Sequence, residues 1–305
     1  EGKLESASAG WERLLADDIE DQTAWAHLKQ LRGRQDHPGG SPLAGQTLIE
    51  PEGVTWSRYE LVREIGRGAT STVYLARDRT LGLLLALKVL HPDAGSGEEG
   101  RQFFAEARVV AGLRHPGVVA IYDLDPDTRT LVMEYLPAGS LRDRLMSARP
   151  AGLPAEQVFA LARNLLATLA YVHAAGVVHG DITPRNILFR DAEQPVLADF
   201  GSARVLGTSL GELAGGTPLY LAPEQLAGEP STPLTDLFSL GAVLWEAWVG
   251  RPMRQHAELL AGRRGSRPLP DELARVHAGL SALIAALTQE LPDRRALGAR
   301  QASLR

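Results

Sequence analysis

The chain has 305 residues, 44% of them hydrophobic, a formal charge of −5 and no cysteine. That length suits one two-lobed domain with a small appendage, and the missing thiols exclude disulfides, zinc–thiolate sites and cysteine nucleophiles. The acidic balance without a basic run argues against a nucleic-acid binder. The apolar runs 81–87 and 237–249 are too short or too interrupted for a bilayer span, and the absence of cysteine fits a reducing cytoplasm, the expected location.

Residues 1–35 predict two short helices. Trp11, Leu14, Leu15 and Ile19 recur at helical spacing, then Trp25, Leu28 and Leu31 do so again, with Asp21 able to cap the second. Residues 36–57, with Pro38, Gly39, Gly40, Pro42, Gly45, Pro51 and Gly53, read as a linker. The first residue is Glu1 rather than Met, so a piece of a longer protein is expected.

From residue 58 the texture changes. Segments 59–66, 72–78, 83–90, 118–124 and 130–135 are rich in Val, Leu, Ile and Tyr and predict strands, interrupted by one helix over about 98–113. Beyond Ser140 helical spacing dominates, over about 155–175, 235–249 and 273–289. A sheet-rich part (58–135) followed by a helix-rich part (136–305) predicts an α+β fold of two lobes with a cleft between them.

Several runs carry chemistry. In Ile65-Gly66-Arg67-Gly68-Ala69-Thr70-Ser71-Thr72-Val73, the glycines and small residues let backbone N–H groups approach phosphate oxygens, although alone the run also suits a plain hairpin turn. Lys88 interrupts an apolar strand, where a lysine would otherwise snorkel to water. Residues 179–186 read His-Gly-Asp-Ile-Thr-Pro-Arg-Asn, and Asp199-Phe200-Gly201 follows. Asn186 and Asp199 are hard oxygen ligands suited to Mg²⁺, and Asp181 is a candidate proton acceptor. Gly216-Thr217-Pro218-Leu219-Tyr220-Leu221-Ala222-Pro223-Glu224 and Pro292-Asp293-Arg294-Arg295 complete the ordered set.

Taken together and in order, these runs resemble the bacterial serine/threonine protein kinases of eukaryotic type, over nearly all of residues 59–300. The resemblance implies a two-lobed kinase fold with ATP and Mg as cofactors and protein substrates as partners. It makes Ile65, Gly66, Gly68, Ser71 (for the third glycine) and Val73 the phosphate-covering turn. Lys88 would bind the phosphates, paired with Glu106. Met133, Glu134 and Leu136 would form the hinge, touching adenine through main chain at Glu134 and Leu136, with Val73 and Ala86 above the ring and Leu188 below. Asp181 would take the hydroxyl proton, and Asn186 and Asp199 would hold metal. Thr217 would hydrogen-bond near Asp181, Glu224 would pair with Arg295, and Asp236 would anchor the backbone around His179, whose ring would stack on Phe200.

Two departures stand out. Gly180 replaces the usual arginine, which implies weak dependence on phosphorylation of the segment after Gly201. Thr183 replaces the lysine that steadies the transferred phosphate, and Arg185 is the candidate to replace it. A pseudokinase scaffold, a small-molecule phosphotransferase of related fold and a tyrosine-specific enzyme remain open alternatives.

Overall fold

The computed structural model describes residues 57–68, 70–92, 100, 104, 107–108, 110–200, 204–205, 218–255, 259 and 266–295. All of them fall in one compact unit, Leu48–Arg305. The two helices expected over 1–35, the linker to residue 56, Glu106, Gly201 and Thr217 lie outside the described residues.

Five antiparallel strands form the first lobe: β1 (Tyr59–Arg67), β2 (Ser71–Asp78), β3 (Leu84–Leu90), β4 (Ile121–Asp125) and β5 (Thr130–Glu134), in the order β1-β2-β3-β5-β4. Alternation along the strands sorts the side chains. Tyr74, Ala76, Leu85, Leu87, Val89 and Val132 pack as one apolar cluster with Tyr59 and Leu61. The intervening residues occupy the other face, where Val73 lies opposite Lys88, Lys88 opposite Leu131, and Ala86 opposite Met133. A slip of one residue would bury Lys88 in the apolar cluster, so register and site are fixed together. The β2–β3 turn is held by buried Asp78, which accepts from the Thr80 and Leu81 amides at 2.8 and 3.0 Å and from Arg58 Nε at 2.9 Å. In the helix expected over 98–113, residues 107, 108, 110 and 111 are helical, and Val110 is buried as its spacing requires.

The second lobe contains helices α1 (Leu141–Ala148), α2 (Ala155–Ala174), α3 (Pro223–Leu226), α4 (Pro233–Val249), α5 (Asp271–Val276) and α6 (Ala278–Leu287), with short strands β6 (Val177–Val178), β7 (Ile187–Phe189), β8 (Pro195–Leu197) and β9 (Arg204–Val205). Sequence periodicity missed α1, which is too short to show two full apolar turns. Its start is written in a capping box: Ser140 Oγ accepts from the Asp143 amide, and Asp143 Oδ2 accepts from the Ser140 amide. Helix α2 buries Val158, Leu161, Ala162, Leu165, Leu169 and Val172 as the apolar stripe predicts.

Helix α4 is apolar on nearly every side and runs through the core. Pro233 opens it, and Gly250, at φ +83°, closes it with its amide donating to Glu246 O. Gly241 lets α6 lie against it, since a Cβ there would sit 2.8 Å from Leu287 Cβ. The single helix expected over 273–289 is two helices. His277 leaves helical geometry and its Nδ1 accepts from the Leu280 amide at 3.0 Å, capping α6. Among the described residues, no helix is long and apolar enough to cross a membrane.

Candidate active site

Strand β3 delivers Lys88 to the cleft face of the sheet, where its Nζ lies 2.6 Å from Asp199 Oδ1 across 111 residues of chain. The lysine is largely buried and the aspartate about half exposed. Asp199 has φ +57°, the left-handed region that non-glycine residues rarely occupy, and such geometry concentrates at functional sites. Next to it, the Phe200 ring lies 4.4 Å from the His179 ring, in contact as expected but tilted by 44° and not stacked flat, and His179 Nε2 is 3.1 Å from Ala198 O. His179 is fully buried and spent on packing, so it is no general base.

The loop over residues 179–186 is hung from the first turn of α4. Asp236, itself buried, accepts from the His179 amide at 2.9 Å and the Gly180 amide at 2.8 Å, and its Oδ2 is 2.8 Å from His173 Nε2. Gly180 has φ +79°. Side chains cost about 1–2 kcal/mol in that region. Glycine at this position therefore removes local strain as well as a positive charge, a cause that the sequence did not display.

Within the loop, Asn186 Nδ2 donates to both the backbone oxygen and Oδ2 of Asp181, each at 2.9 Å. The amide nitrogen fixes the carboxylate, and the amide oxygen is left as the group's acceptor end. Among the described residues, no three histidines or acids cluster as a metal cage. Magnesium is held through one or two protein oxygens together with substrate phosphates, so the donor set of Asn186 and Asp199 suits it.

Arg185 lies between Pro184 and Asn186 in the same loop. Its side chain is exposed, yet enough protein surrounds the guanidinium that burial, then Arg142, lower its pKa, against smaller raising effects of Tyr220 and Asp143. Its electrostatic neighbours thus belong to α1 and the Tyr220 segment. Thr183 is buried.

Above the loop, Leu136 packs with Val119, Val196 and Ala198, and Met133 and Leu188 join the same cluster. The structure therefore brings together the expected back and floor of an adenine pocket, while Val73 and Ala86 line the sheet face above. Gly66 pairs with Val73 beside a bulge at Glu64/Gly66 that takes in half-buried Ile65, and the Gly68 amide donates to Ser71 O at 2.8 Å. Ser71 is itself buried at the start of β2.

Glu134, expected to act through its main chain, also has its side chain engaged. Arg190 grips it at both oxygens, 2.6 and 2.9 Å, and also donates to Pro116 O at 2.9 Å, tying the hinge to the end of β7. The pairing of Glu224 with Arg295 is observed, but not as a surface pair. Arg295 is 0% exposed and its Nη atoms meet the two Glu224 oxygens at 2.7 and 2.9 Å.

A second buried group escaped the sequence altogether. Glu246 of α4 accepts from Arg142 Nη1 at 2.9 Å and from the Tyr220 hydroxyl at 2.6 Å, while Arg142 Nη2 donates to that same hydroxyl. Burial, then the Glu246 charge, raises the Tyr220 pKa well above its ordinary value, so the hydroxyl stays protonated. Arg254, which burial lowers to about 10, donates to Leu221 O at 2.6 Å. These contacts pin residues 220–221 onto α4, and the partners lie too far apart in sequence to leave a local pattern.

Comparison with known proteins places the whole fold among relatives. The chain is similar to the serine/threonine-protein kinase PknL of Mycobacterium tuberculosis, 40% identical over 201 residues, or 64% of this chain and 50% of that protein. It is also similar to the DNA damage-responsive serine/threonine-protein kinase RqkA of Deinococcus radiodurans, 34% identical over 255 residues, or 77% and 37%. With the serine/threonine-protein kinase PrkC of Bacillus subtilis the identity is 34% over 200 residues, or 64% and 31%. The chain thus spans about a third to a half of the length of these curated relatives. Matched over residues 59–295, most of its length, the chain belongs to the protein kinase domain family.

Proposed function

We propose that the protein transfers the γ-phosphoryl group of ATP to serine or threonine hydroxyls of proteins. The observation that carries this reading is the joining of Asp181 to Asn186 and of Lys88 to Asp199, four residues drawn from three separate parts of the chain. In the transfer, the acceptor oxygen forms a bond to the γ-phosphorus as the bond to the β-phosphate oxygen breaks, releasing ADP. Asp181 orients the hydroxyl and receives its proton, and Asn186 keeps that carboxylate aimed. Lys88 supplies fixed positive charge to the phosphates, and the Gly66–Ser71 turn covers them. Asn186 and Asp199 are the residues that would hold Mg²⁺, which when bound neutralises phosphate charge. The hinge main chain at Glu134 and Leu136 would read adenine between Ala86, Val73 and Leu188.

Positioning and charge carry most of phosphoryl-transfer catalysis, and the groups needed for both are present. The relatives' names favour serine and threonine over tyrosine and over small molecules. A pseudokinase scaffold is the second reading, motivated by Thr183 in place of lysine. A radiolabelled-ATP assay on a generic protein substrate, wild type beside Asp181→Ala, separates them. Label transfer that falls at least a hundredfold in the variant is expected. Equal, background label in both would leave only the scaffold.

A further inference from the structure

We propose that Arg190 is a positioning residue that makes the site select adenine over guanine nucleotides, by holding the Glu134 peptide in one orientation. This rests on the kinase reading above and assigns its nucleotide specificity to a residue that acts through Glu134.

The hinge is fastened at both ends to two neighbouring residues, Phe189 and Arg190, where β7 ends. Downstream, the Ala138 amide donates to Phe189 O at 3.2 Å, and the Phe189 amide donates to Gly139 O at 2.9 Å. Upstream the fastening runs through side chains: Arg190 Nε and Nη2 donate to the two Glu134 oxygens at 2.6 and 2.9 Å. Arg190 is itself anchored, because its Nη1 donates to Pro116 O at 2.9 Å. The stretch that follows Pro116 is bonded to Leu197 of β8 through Gly117 O and the Val119 amide. Leu188, the expected floor of the adenine pocket, stands two positions before Arg190, so one short run carries both floor and latch.

The latch governs the direction of one carbonyl. The Glu134 amide is spent on Ala120 O at 2.9 Å, so the main chain of this residue has an acceptor to offer a base and no donor. At the same ring position adenine carries an amino donor and guanine an oxo acceptor. A carbonyl held at a fixed angle accepts from the first and opposes the second, oxygen against oxygen. A carbonyl free to swing loses that discrimination, since a small rotation relieves the mismatch. Arg190 blocks the rotation. The Glu134 side chain is 16% exposed, and a carboxylate left there without its counter-charge turns toward water, taking its own peptide with it.

The test compares ATP with GTP as phosphoryl donor to one generic protein substrate, and ADP with GDP binding by calorimetry. Wild type should favour ATP by about a hundredfold or more in kcat/KM. Arg190→Leu should lower that ratio about tenfold, with the change in KM for the donor nucleotide. Arg190→Lys keeps the charge without the planar fork and should fall between the two. Glu134→Gln weakens the latch from its other end and should shift the ratio the same way, and the double variant should move it no further than Arg190→Leu alone. Should Arg190→Leu fail to fold, the Lys and Gln variants decide by the same ratio. Arg295→Met removes a buried tie of the second lobe and should keep the wild-type preference. A shift there as large as in Arg190→Leu would show that lost stability alone moves the ratio, and overturns the inference. So does a wild type that uses GTP as readily as ATP, or an Arg190→Leu ratio equal to that of wild type, and each leaves the kinase reading intact. A wild type that binds neither ADP nor GDP overturns the kinase reading and this inference with it.

Discussion

Replacing Glu224 by alanine tests whether the pair with Arg295 is an internal tie or a surface ornament. All five N–H donors of Arg295 are used: two reach Glu224, and the others meet Leu234 O at 2.7 Å, Glu290 O at 3.0 Å and Gln289 O at 2.7 Å. Its guanidinium also lies 5.0 Å from the centre of the Phe238 ring. In Glu224→Ala the three carbonyls remain, but a fully buried cation loses its counter-charge, a loss of about 3–5 kcal/mol. For a domain of this size that is a fall in Tm of about 6–20 °C. Urea unfolding followed by intrinsic fluorescence would measure it, with an unchanged denaturant slope showing that stability alone moved. Arg295→Met should cost a similar amount, and the double variant Glu224→Leu/Arg295→Met should fall short of the summed losses by about 2 kcal/mol. A loss under about 1 kcal/mol in Glu224→Ala, the range of exposed pairs, would refute the reasoning.

Tyr220→Phe removes the hydroxyl shared by Glu246 and Arg142 and should cost about 1–3 kcal/mol in the same assay. Gly180→Ala should cost about 1–2 kcal/mol because its φ is +79°, and a variant as stable as wild type would show that the loop relaxes freely. Burial works to raise the Asp78 pKa but is outweighed by the Leu81 amide, Arg58 and the Thr80 amide, leaving it below the ordinary value. A depressed folded-state pKa contributes stability above the unfolded value that is lost as pH falls through the folded one. Asp78→Asn should thus be less stable than wild type at neutral pH, with the gap closing below about pH 4. With no arginine at position 180, Thr208→Ala and Ser209→Ala should each retain turnover in the radiolabel assay, and loss of activity in either would refute independence from phosphorylation there.

Much of the first lobe was legible because its strands alternate, and the observed β1, β2, β3 and β5 end within one or two residues of the expected spans. The 179–186 loop and the Asp199 turn were legible for another reason: each is a short consecutive run that resembles a family pattern. What stayed hidden is long-range. Glu246, Arg142 and Tyr220 are scattered over 104 residues, and no local pattern tells a buried carboxylate on an apolar helix from an exposed one. The grip of Arg190 on Glu134 and the break at His277 were hidden likewise, since both depend on where a side chain ends in space. Gly180 was read only for the side chain it lacks, while its backbone angle carries at least as much of the explanation.

Strand β8 has a mechanical consequence. Its Leu197 is stitched to the approach of β4 at both ends, donating to Gly117 O at 2.8 Å and accepting from the Val119 amide at 2.9 Å. The segment leading into β4 and the strand before Asp199 are therefore fastened to each other as one piece. Asp199, two residues beyond it, is thus presented to Lys88 from a base that is anchored on both sides.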